Sequence, residues 1–234
     1  VMDQAMIDQI RGKQPFEEFA SVGKKDVWTD VSGIFKSNGN AATITNASIN
    51  LEMVAGVTAD NLDVVGINNM GGTLNFEGVT NVVVKQNGTA KGENNDYDNN
   101  GPDPLGAVGY ISIDSIVYES AAVVTNFNGD TSFDIENNSK GGTVVGIISA
   151  ANDPMKPTVN VKGNLNIQAK SDARAYGVYN IYSDWNLGQN PSIDNPGAIT
   201  VDKNLTIAVS SANEKAYGPV SYTHLRAHET KANL

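Results

Sequence analysis

Residues 158–177, TVNVKGNLNIQAKSDARAYG, are followed forty positions later by a close copy, residues 198–218, AITVDKNLTIAVSSANEKAYG. In both copies apolar residues alternate with polar ones on either side of a polar turn. A period of two is typical of half-buried β-strands and not of helices. The matching apolar positions of the two copies are Val159 and Ile199, Val161 and Val201, Leu165 and Leu205, Ile167 and Ile207, and Ala169 and Val209. Self-similarity at a period between about 20 and 50 residues indicates a solenoid or another array of repeats.

Weaker copies of the pattern lie upstream, and a glycine marks each of them. Residues 64–67 and 144–147 both read Val-Val-Gly-Ile, while the two strong copies end in Ala-Tyr-Gly. The marker glycines are Gly66, Gly109, Gly146, Gly177 and Gly218. Their uneven spacing favours loops of variable length on a constant strand core. Propellers and leucine-rich repeats hold a tighter period and carry signatures that this sequence lacks.

We therefore predict an all-β domain over residues 27–218, built as a β-solenoid. Each coil would contain three short strands and bury its inner face against the neighbouring coils. Roughly eight to ten coils, stacked about 4.8 Å apart, would make a rod of about 40–50 Å. Short alternating strands also describe a β-sandwich, so this alternative stays open at the level of the sequence.

Composition argues against several classes of function. The net charge is −10, so we do not expect nucleic acid as a partner, because phosphate binding needs basic clusters. The chain has no cysteine, which excludes disulfides and thiol catalysis. No apolar run approaches the roughly 20 residues of a membrane helix, so we expect no membrane insertion by this segment. Because the chain begins with Val1 and not with Met, we interpret it as an internal segment of a longer protein.

The first 26 residues differ from the rest of the chain. The apolar residues that recur there at helical spacing are Met2, Ala5, Met6 and Ile10. An exposed end of a solenoid needs a polar or covered cap. Residues 1–26 are therefore predicted to form a short helical or irregular cap or a linker, with a frayed terminus as the alternative.

The last residues break the alternating pattern and contain both histidines of the chain. Residues 221–230, SYTHLRAHET, closely resemble the conceptual translation of a transposon-based sequencing adapter. We predict that residues 219–234 are not native, and we leave them out of fold and site reasoning. The metal-site pattern of His224, His228 and Glu229 is left out with them.

The segments GNLNIQAKSDARAYGVYN and KNLTIAVSSANEKAYG, at residues 163–180 and 203–218, resemble rungs of autotransporter passenger domains of Gram-negative bacteria. In that family, strands of the type Gly-Asp/Asn-Leu-x-Ile alternate with polar loops that end in Ala-Tyr-Gly-Val/Ile-Tyr. The resemblance covers about residues 27–218. It implies a right-handed parallel β-helix that is exported through the outer membrane to the cell surface. It also implies that a membrane β-barrel follows in the full-length chain.

The search for catalytic residues finds no constellation, so we do not expect this segment to be an enzyme. No Gly-x-Ser-x-Gly motif occurs, and without the tail no histidine is left to act as a base. Parallel β-helices also carry polysaccharide-cleaving enzymes, which need paired acidic groups. Asp114 and Asp134 each neighbour an inward apolar residue, so both are expected to point outward. A β-helix scaffold of a polysaccharide-active enzyme or protease, with its catalytic residues elsewhere, stays as the alternative.

An acidic loop is the one candidate for a metal site. Residues 93–103, ENNDYDNNGPD, place Asp96, Asp98 and Asn100 at alternate positions before a glycine, as in the first half of a calcium-binding loop. Asp103 and backbone carbonyls would complete a calcium site that is not an EF-hand, since Ala107 stands where the EF-hand glutamate is required. A solvated, turn-rich insertion without a metal is the alternative.

Aromatic residues near the strong repeat suggest a second kind of site. They are Tyr176, Tyr179, Tyr182 and Trp185. A sugar- or protein-binding stripe is one interpretation, and stacking of Tyr176 on Tyr217 between equivalent coils is the other. We expect a structural and adhesive role, with contacts to host proteins or glycans through the loops at residues 91–105 and 183–196.

Overall fold

The computed structural model of the chain describes residues 1–6, 29–36, 39–58, 62–89, 105–113, 122–151, 157–182 and 197–222. These residues form sixteen β-strands in three sheets. The first sheet contains β1 (Thr29–Lys36), β4 (Leu62–Asn69), β7 (Leu105–Ile113), β10 (Thr143–Ala151), β13 (Ala175–Tyr182) and β16 (Ala216–Tyr222). The second sheet contains β2 (Ala42–Thr45), β5 (Thr73–Glu77), β8 (Val124–Phe127), β11 (Thr158–Val161) and β14 (Ala198–Val201). The third sheet contains β3 (Ser48–Met53), β6 (Thr80–Gln86), β9 (Thr131–Asn137), β12 (Leu165–Ser171) and β15 (Leu205–Ser211).

The chain returns to the same sheet after every third strand, and each strand pairs in parallel with the strand three places earlier. Thus β1 pairs with β4, β2 with β5 and β3 with β6. The sheets keep this order from coil to coil. This topology is a parallel β-helix, which confirms the predicted solenoid. The β-sandwich alternative is wrong, because sandwiches are built from antiparallel sheets. The right-handed sense of the coil stays a prediction.

Strand register confirms the forty-residue repeat at the level of single residues. In the second sheet, Val159 lies opposite Ile199. In the third sheet, Leu165 lies opposite Leu205 and Ile167 opposite Ile207. The apolar alternation points these side chains into the coil, where Leu165 and Ile167 are buried. The equivalent positions of the two copies therefore stack directly on one another along the rod.

The coil count differs from the prediction. The described strands make five full coils and one further strand, so the rod is about 24 Å long at about 4.8 Å per coil. The expected eight to ten coils were wrong because the connections consume many residues. Eighteen residues, 87–104, separate β6 from β7, and fifteen, 183–197, separate β13 from β14.

Aromatic and aliphatic side chains fill the interior of the coils. Phe76 and Phe127 occupy equivalent positions in consecutive coils and stack with ring centroids 4.9 Å apart. Phe133 meets Phe127 edge-on at 5.9 Å, and Tyr110 does the same from the first sheet. Each of these rings is at most 1% exposed. Burial of such large apolar groups is the main force that holds one coil on the next.

A column of aligned glycines runs along the first sheet, formed by Gly33, Gly66, Gly109, Gly146, Gly177 and Gly218. A Cβ added to Gly146 would lie 2.4 Å from the Ile167 Cγ2 of the third sheet and 2.5 Å from the Gly177 carbonyl oxygen. The glycines therefore allow the first and third sheets to approach closely. None of the column has a positive φ, so space and not backbone conformation requires the glycine.

Buried amides form the turns at the corners of the coil. Asn137 ends β9, where its Nδ2 donates to the Thr143 carbonyl at 3.0 Å and its Oδ1 accepts from the Ser139 amide at 3.1 Å. Gln86 stands opposite Asn137 in the preceding coil and accepts from the Gly88 amide at 2.7 Å. A side chain that satisfies backbone groups in this way stabilises a tight turn.

The N-terminal residues pack on the first coil. Met2 pairs with Met53 as an isolated parallel bridge, and the Met2 side chain is 2% exposed. Gln4 exchanges two hydrogen bonds with the backbone of Thr58, the shorter at 2.8 Å. These contacts place residues 1–6 over one edge of the third sheet. The remainder of the predicted cap, residues 7–26, lies outside the described residues.

The C-terminal strand β16 extends beyond the predicted boundary at Gly218. Its pairing with β13 continues through Val220 and Tyr222. Four residues that we assigned to the tail therefore lie in a strand. Residues 223–234 lie outside the described residues, and the adapter origin of residues 219–234 stays a prediction.

Candidate functional site

The predicted calcium loop cannot be placed. Asp96, Asp98, Asn100 and Asp103 all lie in residues 90–104, which are outside the described part of the chain. The calcium site therefore stays a prediction. Among the residues that the structure describes, no group of three or more histidine, cysteine or acidic side chains could hold a metal ion.

The aromatic residues of the strong repeat form a compact cluster in the structure. The Tyr176 and Tyr217 rings stack at 5.0 Å with an interplanar angle of 11°. This confirms the expected stacking between equivalent coils. Tyr179 meets Tyr176 edge-on at 5.3 Å, although the two lie an odd number of positions apart along the strand. The side chains of Tyr182 and Trp185 are outside the described part.

The acidic residues considered for polysaccharide cleavage do not form a described pair. Asp134 is exposed on β9 and points away from the interior, as the alternation predicts. Asp114 lies outside the described residues. Asp134 stands opposite Gln168 in the next coil and Val83 in the preceding one, so no second carboxylate faces it in register.

The outer face of the second sheet carries a ladder of amides. Thr43, Asn75, Asn126, Asn160 and Thr200 occupy one register column. The Asn126 Nδ2 donates to the Asn75 Oδ1 at 2.8 Å, and the Asn160 Nδ2 donates to the Asn126 Oδ1 at 2.9 Å. The Thr200 hydroxyl continues the chain to the Asn160 Oδ1 at 2.8 Å. Asn126 and Asn160 thus each donate on one side and accept on the other.

The outer face of the third sheet carries alternating charges. Glu52, Lys85, Glu136 and Lys170 occupy one register column. The Lys170 ammonium lies 2.8 Å from the Glu136 carboxylate. This hydrogen bond, together with the positive charges of Lys170 and Lys85, lowers the pKa of Glu136. Both side chains are partly exposed, so water and salt screen the pair.

The outer face of the first sheet is apolar, unlike the other two. Val65 and Val145 lie on this outer face, next to residues that face the interior. Ile148 and Tyr179 lie on it too, three positions after Val145 and Tyr176 respectively. In β4, β7, β10 and β13 the glycine of the column and the residue after it both face the interior, so the alternation is interrupted at the glycine.

Two buried polar groups inside the rod were not identified from the sequence. The Lys36 ammonium donates to the Gly71 carbonyl at the first coil, and burial lowers the pKa of Lys36. The Tyr110 hydroxyl lies 2.7 Å from the Thr125 hydroxyl, and burial raises the pKa of Tyr110 to about 12. A lysine or tyrosine in an apolar run is the only sequence signal for either group.

The described part of the chain provides three extended sheet faces. Two of the faces present hydrogen-bonding and charged side chains at the strand spacing of about 4.8 Å. No helix in the described part of the chain is long and apolar enough to cross a membrane.

Comparisons with known proteins do not add an identity to this architecture. No family model matches the chain, and neither a curated protein nor a solved structure matches it.

Proposed function

We propose that the chain is a structural and adhesive segment of a bacterial cell-surface protein of the autotransporter passenger type. The observation that carries the proposal is the parallel β-helix itself, in which matched coils stack along one axis. Each further coil lengthens the rod, so stacked coils can hold a surface at a distance from the cell envelope. Every strand edge is paired except at the two ends of the rod.

The location follows from the same proposal. The segment would stand outside the outer membrane, with a membrane β-barrel elsewhere in the full-length chain and host or matrix molecules as partners. The net charge of −10 disfavours non-specific adhesion to anionic cell surfaces. Adhesion would therefore depend on particular loops, and the longest connections, residues 87–104 and 183–197, are the candidates.

An enzyme scaffold is the second candidate function. In that case the β-helix would position catalytic residues of a polysaccharide-active enzyme or protease that lie outside this segment. Its support is the use of parallel β-helices by such enzymes, which is an analogy at the level of the fold.

The test displays the chain on beads and measures binding to epithelial cells and to immobilised matrix proteins and glycans. A matched bead set carries a variant in which residues 91–104 and 183–196 are replaced by short Gly-Asn turns. We expect the parent to bind at least one ligand class and the loop-replaced variant to lose that binding. Circular dichroism checks that the β-structure of the variant is intact.

Hydrolysis of polysaccharides and casein is assayed in parallel on the purified chain. Turnover that disappears on substitution of one Asp or Glu would overturn the non-catalytic role. Binding that survives replacement of both loops would overturn the loop assignment and leave the rod as the adhesive surface.

A further inference from the structure

The last coil of the rod exposes apolar side chains at positions that the earlier coils bury. Leu205 of β15 is 47% exposed, whereas Leu165, its counterpart one coil earlier, is fully buried. A Cβ added to Gly218, at the end of the glycine column, would meet no atom within 4 Å. The other interior positions of this coil are only partly buried, and they are Ile199, Val201, Ile207 and Val209. In the described part of the chain, β14, β15 and β16 are the last strands of their sheets, so no further strand covers these positions there.

Two of these last strands lack the usual protection of a sheet edge. Soluble proteins generally protect such edges from further pairing with charged side chains, proline or a covering segment. Strand β14 reads Ala-Ile-Thr-Val and β15 reads Leu-Thr-Ile-Ala-Val-Ser-Ser, so neither contains a charge or a proline. Strand β16 contains Pro219, which removes one backbone donor. We call β14 and β15 the open edge.

The opposite end of the rod is partly closed by the chain itself. The Met2 amide donates to the Glu52 carbonyl at 2.7 Å, and the Val54 amide donates to the Met2 carbonyl at 3.1 Å. The Gln4 Oε1 accepts from the Thr58 amide at 2.8 Å. Residues 1–6 therefore already pair with backbone groups at the first-coil edge of the third sheet. Another strand can add at this place only by displacing them.

We propose that the open edge binds the open edge of a second copy of this chain, so that two rods join end to end in a symmetric dimer. A twofold axis perpendicular to the rod reverses the strand direction, so the two edges meet as antiparallel strands. Because neither strand carries a charge, this pairing brings no like charges opposite each other. The partly exposed apolar positions of one copy then cover those of the other, which removes them from water.

The charge of the last coil also permits a second copy to approach. The whole chain has a net charge of −10, which favours repulsion between copies. Residues 197–222 instead carry two acidic and two basic side chains, Asp202, Glu214, Lys203 and Lys215. This end of the rod is therefore neutral, and a second copy is not repelled there.

The difference between the two ends sets the size of the assembly. Pairing of the open edge with the opposite end of the next rod would be a head-to-tail contact, which produces an open filament. Residues 1–6 obstruct that contact at the third sheet. Pairing of two open edges uses both of them and stops at two copies. The inference concerns assembly, and it does not depend on the proposed adhesive function.

Sedimentation of the full chain over a range of concentrations measures the assembly. We expect a monomer–dimer equilibrium without larger species. Leu205→Lys places a charge among the apolar positions of the open edge, and Gln168→Lys places the same charge on the exposed outer face one coil earlier. Leu205→Lys should weaken dimerisation by roughly a hundredfold or more, because the two charges would be buried close together. Gln168→Lys should leave dimerisation unchanged, and circular dichroism checks that both variants are folded.

Spin labels then test the arrangement of the two copies without disturbing the open edge's apolar positions. The chain has no cysteine, so Thr43→Cys labels the first coil and Thr206→Cys labels the last coil at exposed positions. In the symmetric dimer the first-coil labels are about nine coil spacings apart along the rod, or roughly 43 Å. The last-coil labels are about one spacing apart along the rod. A head-to-tail contact instead gives the same distance for both labels.

Four results would overturn the proposal. The first is a chain that stays monomeric up to its solubility limit, and the second is an equal effect of Leu205→Lys and Gln168→Lys. The third is one common label distance for the first and last coils. The fourth is a monomer that dimerises only after residues 223–234 are deleted, which would make that segment the occupant of the open edge.

Discussion

The glycine column offers a graded test of how closely the first and third sheets approach. Gly146→Ala would place a Cβ 2.4 Å from the Ile167 Cγ2 and 2.5 Å from a backbone carbonyl oxygen, so the sheets must move apart. At Gly177 the Cβ would meet the Ile207 Cγ2 at 2.3 Å, but the nearest carbonyl oxygen is 3.3 Å away. At Gly218 no atom lies within 4 Å. The same substitution therefore meets three different environments in one column.

The expected magnitudes follow from two opposing effects. Overpacking of a close-packed interior costs about 1–3 kcal/mol. Replacing glycine by alanine also restricts the unfolded chain and stabilises by about 0.4–1 kcal/mol where the new Cβ fits. Gly146→Ala should therefore lower the free energy of unfolding by roughly 1–2 kcal/mol. Gly218→Ala should leave it unchanged or raise it by up to about 1 kcal/mol. Gly177→Ala should fall between them, because the half-buried Ile207 can rotate away.

Urea unfolding followed by circular dichroism measures all three variants beside the parent. The slopes must be compared as well as the midpoints, because arrays of repeats can unfold in more than one step. In a chain of this size, 1 kcal/mol corresponds to roughly 2–4 °C in the thermal midpoint. Equal effects at Gly146 and Gly218, or a stabilising Gly146→Ala, would refute the close approach of the two sheets.

Two further predictions concern buried and ladder hydrogen bonds. Burial raises the pKa of Tyr110 from 10 to about 12. The contribution of Tyr110 to the free energy of unfolding is therefore complete below pH 10 and is lost as the pH rises towards 12. Tyr110→Phe should remove this pH-dependent contribution. If the free energies of unfolding of the parent and the variant fall equally as the pH rises above 10, the prediction is contradicted. Asn160→Ala removes ladder bonds to Asn126 and Thr200 and should cost roughly 0.5–1.5 kcal/mol per bond. The exposed Asn166→Ala is its matched control in thermal unfolding, and an equal loss there would contradict the ladder.

Much of the architecture could be predicted from local patterning. Alternation with a period of two identified the strands, since a pleated strand sends successive side chains to opposite faces. The forty-residue repeat predicted which residues would stack, and Leu165 does lie opposite Leu205. Stacking requires only that equivalent positions have similar side chains, so it is encoded within a short stretch of sequence.

The number of coils and the purpose of the glycines were decided by the tertiary structure. The marker glycines were visible in the sequence, but the first one, Gly33, was missed, although Val31-Ser32-Gly33-Ile34 differs from the Val-Val-Gly-Ile marker only at Ser32. Their role depends on Ile167 and its equivalents, which come from another sheet of the coil. The sequence also shows the long stretches between the predicted strands. Only the strand pairing shows that these stretches are connecting loops and not further coils.

The sequence by itself determined the period and the stacking of equivalent residues, because both depend on side chains that recur at equivalent positions. It could not determine which outer face is apolar. In the structure Tyr176 and Tyr179 share one face, although only Gly177 and Val178 lie between them. A pattern of strict alternation places them on opposite faces. In the tertiary structure Gly177 faces the Ile207 side chain and Val178 also lies in the interior, so two consecutive inward residues put the two rings on the same outer face.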